Sequence, residues 1–278
     1  MARSEIFYET IMALWPLSRL LYRLGNRPLL RGLSRPFFRA LNSEAIIIPV
    51  HETISEPESV VLPYPLLTPL IQGVDTRFLM SECMCRRGEG CQAFPQDLGC
   101  LFLGPGTMQI RPSKGRWVRA EEAMAHVEQA MEIGLVPLVV HTPFDALMLG
   151  IPYREMVGIC FCCECCCTVQ QGLRLGPPAF WDIVGRLPGL AVGVTEECVR
   201  CGACEEICHV GALLASNGRM KVDTARCKAC GRCVGACPVG AIRMEIEDTQ
   251  AAVDQFLSRI ARRAEIGLRS GMLAREGR

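Results

Sequence analysis

Apolar residues recur at helical spacing in the middle of the chain and again near its C-terminus. The middle stripe precedes Gly134, a suitable helix C-cap, and the apolar run Val136–His141, whose proline predicts a short buried strand or an edge strand. The stripe residues are Ala120, Ala123, Met124, Val127, Ala130 and Met131 in the middle, and Val253, Phe256, Leu257, Ile260 and Ala264 at the end. The pattern predicts a central α/β unit and an amphipathic helix at residues 248–278.

The first 45 residues combine apolar side chains with arginines placed four positions apart. The ladder consists of Arg19, Arg23, Arg27, Arg31, Arg35 and Arg39, and no acidic residue lies between Thr10 and Ser43. Gly25, Pro28 and Pro36 divide the segment into short helices. A basic amphipathic segment of this kind suits packing on the protein's own core, contact with an anionic membrane, or docking on an acidic partner.

Composition and charge exclude several classes of protein. Apolar residues make up 50% of the chain, which is enough for a sizeable core. Lysine plus arginine number 30 against 29 acidic residues, so no excess of positive charge predicts nucleic-acid binding. No apolar run reaches the roughly 18 residues of a spanning helix, and the N-terminus lacks the features of a signal peptide. We expect a cytoplasmic protein, either free or peripheral on the membrane.

The 18 cysteines fall into three clumps of four, six and eight residues. A disulfide scaffold usually spreads its cysteines through a short secreted chain, whereas these clumps leave long cysteine-free stretches. Thiols at spacings of two and three residues suit metal centres, and the thiolates of such centres require a reducing compartment. The cysteine pattern therefore predicts a metalloprotein.

The third clump is one motif written twice, 29 positions apart. Cys198, Cys201, Cys204 and Cys208 make the first copy, and Cys227, Cys230, Cys233 and Cys237, followed by Pro238, make the second. Three cysteines at three-residue intervals can present thiolates to three irons of one cubane. Zinc sites use four ligands, usually as two separate pairs, and do not need the third cysteine of each run. The repeat therefore predicts iron–sulfur clusters.

Over about residues 190–245 this repeat resembles the bacterial dicluster ferredoxin family. The resemblance implies two short hairpins, two small helices and two 4Fe-4S clusters, with the fourth cysteine of each run ligating the other cluster. Cys198, Cys201, Cys204 and Cys237 would then hold one cluster, and Cys227, Cys230, Cys233 and Cys208 the other. The sequence departs from the family at His209, where the pattern has proline, and we expect this histidine to shift one potential.

The ten upstream cysteines predict one or two further clusters. They are Cys83, Cys85, Cys91, Cys100, Cys160, Cys162, Cys163, Cys165, Cys166 and Cys167. Six cysteines within Cys160–Cys167 cannot all serve one cubane, because neighbouring side chains on an extended stretch point to opposite faces. The spacing is similar to the N-terminal part of poorly characterised bacterial four-iron ferredoxin-like proteins. Zinc or buried free thiols are the alternatives, and His126 and His141 are interpreted as hydrogen-bonded structural residues.

The predicted fold class is α+β, with a ferredoxin-like dicluster domain, a cysteine-rich α/β domain and amphipathic helices at both ends. The predicted divisions are a basic helical segment at 1–45, a cysteine-rich iron–sulfur domain at 60–190, the dicluster domain at 191–246 and the terminal helix at 248–278. Basic residues around the second motif predict an acidic redox partner. These residues are Lys221, Arg226, Lys228, Arg232 and Arg243.

Three functions fit the sequence. The first is an electron-transfer subunit of an oxidoreductase system that relays single electrons through all the clusters to a redox partner protein or a membrane-bound redox complex. The second is a reductase with an unusual catalytic centre in Cys160–Cys167, fed by the ferredoxin-like tail. The third is a redox-sensing or anchoring subunit of a membrane-associated complex, bound through residues 1–45.

Overall fold

The computed structural model of the protein describes residues 4–30, 43–50, 64–216 and 219–269. Arg31, Arg35 and Arg39 of the arginine ladder lie outside the described residues, as does Pro36. The helices are α1 (Glu5–Leu14), α2 (Leu17–Gly25), α3 (Tyr64–Gln72), α4 (Met84–Gly88), α5 (Ala120–Glu132), α6 (Pro143–Leu149), α7 (Thr168–Leu175), α8 (Ala179–Ile183), α9 (Ala203–Ile207), α10 (Arg232–Ala236) and α11 (Thr249–Arg263). Helices and strands are mixed, as the α+β class predicts.

A seven-stranded sheet forms the frame of the described N-terminal region. Its strands are β1 (Glu44–Ile47), β2 (Arg77–Met80), β3 (Leu101–Leu103), β4 (Gly115–Trp117), β5 (Val136–His141), β6 (Val157–Cys162) and β7 (Val184–Gly185). They lie in the order β4-β2-β3-β6-β5-β1-β7, with antiparallel neighbours except for the parallel pair of β1 and β7.

The predicted central α/β unit is present. Helix α5 covers the predicted stripe, and Gly134 after it adopts a positive φ of 86°, which suits a glycine at a helix C-terminus. Strand β5 lies between β6 and β1. Of the two predictions for this segment, a buried strand is therefore confirmed and an edge strand is wrong. Pro137 is tolerated inside the sheet although it offers no N–H to its neighbour.

Strand alternation divides the core into two faces. On one face Leu101, Ile159 and Phe161 pack with helices α3, α5 and α11. On the other face Phe102 packs with helices α1 and α6, and Cys162 packs with residues of α7 and α8. Successive residues of β3 and β6 therefore belong to different cores.

The cysteine-rich tail contains two small antiparallel strand pairs and two short helices. Strands β9 (Leu213–Ser216) and β10 (Arg219–Val222) pair as neighbours, whereas β8 (Leu190–Val194) pairs with the distant β11 (Ile242–Ile246). The resemblance implied two hairpins. One pair instead joins strands from opposite ends of the segment and encloses both cysteine motifs.

The two terminal helical regions pack on the protein's own core. Tyr8, Met12 and Trp15 near the N-terminus are buried, and α11 buries Phe256 and Leu257 against the sheet. Helix α1 ends before Pro16, a break additional to the predicted one at Gly25, where α2 ends. Within the described ranges, none of the helices has the length and apolar character that crossing a membrane requires.

Candidate metal centres

Three strands deliver cysteines to one edge of the sheet. Cys83 follows the end of β2, Cys100 precedes the start of β3, and β6 ends at Cys162. Because β2 and β6 are both antiparallel to β3, the ends of β2 and β6 and the start of β3 meet at the same edge. The sheet topology thus gathers two clumps that are about 60 residues apart in sequence.

Six of the gathered thiols form a continuous row. In spatial order, the row is Cys160, Cys100, Cys83, Cys85, Cys167 and Cys162, in which the pKa of each thiol depends on its neighbours in the row. The Sγ atoms of Cys162 and Cys167 are 2.9 Å apart, and that of Cys85 lies 3.3 Å from Oγ1 of Thr168. We call these residues the six-thiol row. Two of them lie in β6 and one in α4, and the other three directly precede β3, α4 and α7.

The thiols of the row influence each other's ionisation. Hydrogen bonds with Cys100 and Cys85 lower the pKa of Cys83. Hydrogen bonds with Cys167 and Cys83, together with burial, raise the pKa of Cys85. One thiolate therefore suppresses ionisation of its neighbours, and deprotonation of the whole row requires a bound cation.

The six-thiol row lines an apolar cavity of about 760 Å³. Trp15, Leu21 and Tyr22 from the N-terminal helices contribute to the wall opposite the sheet, with Phe144 and Phe180 beside them. Asp145 is one of the few acidic groups on this wall, and burial raises its pKa to about 6. The thiols thus line a partly open and mostly apolar space.

A fully buried arginine stands between the thiols and the neighbouring loop. Arg86 donates from Nε to the carbonyl oxygen of Pro95 and from Nη1 to that of Phe161, each at 2.7 Å, and from Nη2 to that of Leu98. Nearby thiolates, including that of Cys83, raise the pKa of Arg86 against the opposing effect of its burial.

The remaining upstream thiols make a second, compact group. The Sγ atoms of Cys91, Cys163, Cys165 and Cys166 all lie within 4.8 Å of one another. Strand alternation explains the division, because Cys162 belongs to the cavity side and Cys163 to the opposite core. We call these four residues the compact group. The six cysteines of the second clump therefore divide equally between the row and the compact group.

The eight cysteines of the tail surround two separate voids. The outer set lines the first void and comprises Cys198, Cys201, Cys204 and Cys237. The inner set lines the second void and comprises Cys208, Cys227, Cys230 and Cys233. Each set combines three cysteines of one run with the fourth cysteine of the other run.

The two copies of the motif share one backbone conformation. Arg200 and Ala229 are the two non-glycine residues with positive φ in the described chain, and they are 29 positions apart. Gly202 and Gly231 are also 29 positions apart and also have positive φ, of 82° and 85°. Gly211 and Gly240 repeat a positive φ as well, and the next N–H in each copy donates to sulfur. Ala212 donates to Cys208 Sγ and Ala241 to Cys237 Sγ, both at 3.2 Å.

The pKa values of the tail thiols are shifted in different directions. Burial opposes ionisation of Cys237, but hydrogen bonds from backbone N–H groups outweigh it and lower its pKa. Burial raises the pKa of Cys230 to about 11 and that of Cys233 to about 12. Both inner thiols therefore need a cation to become thiolates at neutral pH.

His209 lies on the wall of the inner void. Burial lowers its pKa to about 4, so the ring is neutral at physiological pH. Within the described part of the chain, neither ring nitrogen has a hydrogen-bond partner. A buried polar ring without partners is costly, and a group in the void that accepts its N–H would remove this cost. The inner void therefore fits a sulfur-containing cofactor.

The tail docks on the thiol-bearing domain through its second motif. Arg232 of α10 pairs with Glu164 of the second clump at 2.8 Å, and the N–H of Val50 donates to the carbonyl oxygen of Cys230 at 2.9 Å. Cys162 and Cys167 of the row pack in the same apolar cluster as Cys208, Cys227 and Cys230. The inner set and part of the six-thiol row therefore border the same apolar cluster.

The structure changes the interpretation of the basic residues around the second motif. Lys228 donates to the carbonyl oxygens of Trp181 and Val184, and Arg232 is engaged with Glu164. These two cations bind within the chain because their motif faces the rest of the protein. An acidic partner for the second motif stays a prediction.

The two upstream histidines make hydrogen bonds, as interpreted from the sequence. Nε2 of His126 lies 2.9 Å from the carbonyl oxygen of Gly99, and Nε2 of His141 lies 2.9 Å from that of Tyr153. Burial lowers the pKa of both rings, so both are neutral near pH 7. The sequence did not single out Arg86 or Glu164, because Phe161, which Arg86 contacts, and Arg232, which Glu164 contacts, are 75 and 68 positions away.

Comparison with known families supports iron–sulfur chemistry in the tail. Residues 220–243 match the model of the 4Fe-4S binding domain. This match contains the second cysteine run, and it indicates at least one 4Fe-4S cluster. The comparison with curated proteins finds no match, and the comparison with solved structures finds none either. The 4Fe-4S binding domain indicates that this chain is an iron–sulfur protein.

Proposed function

We propose that the protein transfers single electrons between a redox partner and a thiol-bound centre in its N-terminal domain. The outer and inner sets would each hold one 4Fe-4S cluster, and the six-thiol row would hold a further iron–sulfur centre. Bound clusters of this kind supply one-electron redox chemistry. The observation that carries the proposal is the shared apolar cluster that joins the inner set to Cys162 and Cys167.

Three features of the tail support two cubanes with crossed ligands. The voids are lined by three cysteines of one run and the last cysteine of the other. Backbone N–H groups donate to Sγ of Cys208 and Cys237, the two cysteines that cross between sets. Donors to sulfur stabilise a reduced, more negative cluster. His209 adds a further neutral donor beside the inner set.

The thiol sets lie in an order that suits a relay. Cys201 of the outer set is exposed at the surface, and Val199 beside it is 60% exposed. Cys198 and Cys237 of the outer set pack in one apolar cluster with Cys208 and Cys233 of the inner set. The inner set in turn shares an apolar cluster with Cys162 and Cys167 of the six-thiol row. An electron entering at Cys201 would meet the outer set, the inner set and the row in turn.

The surface near the outer set favours a basic redox partner protein. Glu205 and Glu206 of α9 are exposed next to this motif, whereas Lys228 and Arg232 of the second motif are engaged within the chain. Complementary charge raises the rate at which redox proteins meet. The partner would therefore approach the exposed end of the tail with a basic surface.

Single cysteine variants test the crossed ligand sets. The anaerobically purified protein should show two ferredoxin-type EPR signals on reduction. Cys237→Ala and Cys198→Ala should lose the same signal, and Cys208→Ala and Cys227→Ala should lose the other. Each variant should lose about four irons per chain. The proposal fails if Cys237→Ala removes the same signal as Cys227→Ala, or if the tail binds zinc.

The cavity favours a reductase as the second candidate function. Its wall combines the six-thiol row with apolar side chains, and its volume of about 760 Å³ lies within the range of small-molecule sites. A relay alone does not need such a space. Oxidation of a reduced viologen dye by the isolated protein, dependent on an added small apolar substrate, would support this function. Full iron content without turnover across a substrate panel would favour the relay.

The third candidate function is anchoring through residues 1–45. It is supported by the exposed leucines of α2 rather than by Arg19, which binds within the chain. Arg19 of the ladder pairs with Glu89 at 2.6 Å and donates to the carbonyl oxygen of Cys165 at 3.3 Å. Leu17, Leu20 and Leu21 of α2 are more than half exposed and could meet a membrane or a membrane-bound complex. Replacing these leucines by glutamine, rather than deleting the segment, tests binding to anionic vesicles without removing α1 from the cavity wall.

A further inference from the structure

The compact group differs from the other thiol sets in the spacing of its sulfurs. Its four Sγ atoms lie within 4.8 Å of one another, and those of Cys91 and Cys165 are 3.7 Å apart. Four sulfurs bound to a tetrahedral zinc ion at about 2.3 Å are roughly 3.8 Å apart. The observed spacing therefore suits four thiolates on a single ion.

A four-iron cubane makes a different demand on its ligands. Each of its four thiolates binds a separate iron at a separate corner, which spreads the ligand sulfurs around the whole cluster. The outer and inner sets contain the cysteine runs that are typical of 4Fe-4S clusters. Across the described residues, neither set brings three or more sulfurs mutually within 4.8 Å. Wide and tight sulfur spacings thus occur side by side in one protein.

The compact group offers a closed site. Four protein thiols complete a tetrahedron and leave no position for a substrate, which is the arrangement of structural rather than catalytic zinc. Cys91, Cys163 and Cys166 are buried, and Cys165 is half-buried. Among the described residues that line the large cavity, Cys163 is the one member of the compact group. The other three lie away from the cavity wall.

The surrounding structure holds the compact group in place. The carbonyl oxygen of Cys165 accepts hydrogen bonds from Arg19 and from Gln171 of α7. The segment between α4 and β3 forms no helix or strand, and Cys91 lies at its beginning. An ion bound to Cys91 and to the three cysteines after β6 would fasten this irregular segment to the central strand of the sheet.

We propose that Cys91, Cys163, Cys165 and Cys166 bind one structural divalent ion of the zinc class. The ion cross-links residues that are about 70 positions apart, and it fixes the loop that also supplies Arg86 with two of its carbonyl partners. Binding displaces four thiol protons to solvent, because thiolates are the ligands. This proposal does not depend on electron transfer, since the ion takes no part in redox chemistry.

Metal analysis of the full chain tests the proposal. Anaerobically purified protein should contain one zinc ion per chain in addition to iron, and Cys91→Ser should lose the zinc while the iron content stays unchanged. Cys85→Ser in the six-thiol row is the matched control, and it should lose iron while the zinc remains. X-ray absorption at the zinc edge of the unaltered protein should show four sulfur ligands at about 2.3 Å.

The zinc-edge spectrum decides the matter if Cys91→Ser does not fold. A zinc ion with nitrogen or oxygen ligands would be adventitious and would overturn the proposal. Absence of zinc, with a loss of about four irons in Cys91→Ser, would assign a cubane to the compact group instead. Neither result affects the EPR signals of the tail, so failure here is distinguishable from failure of the proposed electron transfer.

Discussion

Arg86 shows how one residue links the chemistry of the site to the stability of the domain. Its guanidinium is fully buried, and within the described chain its hydrogen bonds go to three backbone carbonyls rather than to a carboxylate. A buried cation without a carboxylate requires other negative charge nearby. The thiolates of a metal-loaded site provide this charge, so Arg86 and the thiols stabilise each other.

Replacing Arg86 should therefore destabilise the fold. Arg86→Met leaves three buried carbonyls without a donor, which should cost at least about 3 kcal/mol. For a chain of this size we expect a melting temperature lower by roughly 6–12 °C. Arg86→Lys keeps the charge but not the fork of donors, so its melting temperature should lie between those of Arg86→Met and the original protein. Arg116→Met at an exposed site is the control, and equal melting temperatures for both methionine variants would contradict this role.

Asp145 provides a pH-dependent prediction at the same scale. Burial raises its pKa from 3.8 to about 6, so the folded chain keeps a proton that the unfolded chain releases. The stability from the neutral acid is complete below about pH 4 and is lost as the pH rises through 6. Asp145→Asn should therefore exceed the original protein in stability by about 1.5 kcal/mol at pH 5 and about 3 kcal/mol at pH 8.

Thermal unfolding between pH 5 and pH 8 measures this difference. Asp97→Asn is the control, because Asp97 is exposed and the substitution removes the same charge. A difference between Asp145→Asn and the original protein that does not grow with pH would show that Asp145 is ionised in the folded chain.

At the scale of elements, the 29-residue repeat places one backbone conformation in two environments. Gly202 and Gly231 occupy equivalent positions with nearly equal positive φ. A β-carbon on Gly202 would meet open space, whereas one on Gly231 would collide with the carbonyl oxygen of Val50. The second copy is therefore a docking element as well as a ligand loop.

Alanine at the two glycines separates backbone strain from docking. Both substitutions should cost about 1 kcal/mol, because alanine disfavours positive φ. Gly231→Ala should cost at least about 2 kcal/mol more, since the backbone of residue 50 must move. Melting temperatures measure both effects. Equal losses for Gly202→Ala and Gly231→Ala would contradict the docking of the tail on Val50.

At the scale of the whole molecule, local patterns were predictable and long-range partners were not. Helical spacing predicted α5, and the repeat is seen again in the paired dihedrals of the tail. The alternation of side chains explains why Cys162 and Cys163 separate, but the register that brings Cys83 and Cys100 to Cys160 involves three distant strands. The ion pair of Arg232 was not predictable, because its partner Glu164 is 68 positions away in the sequence.

The iron and sulfide content of the anaerobically purified chain, with an EPR-monitored redox titration, tests the central claim most directly. Two ferredoxin-type clusters in the tail predict about eight irons and eight sulfides, and the six-thiol row adds to this number. We expect reversible one-electron reductions that include two ferredoxin-type signals. Zinc in place of iron at Cys198–Cys237, or fewer than about four irons per chain, would contradict the account.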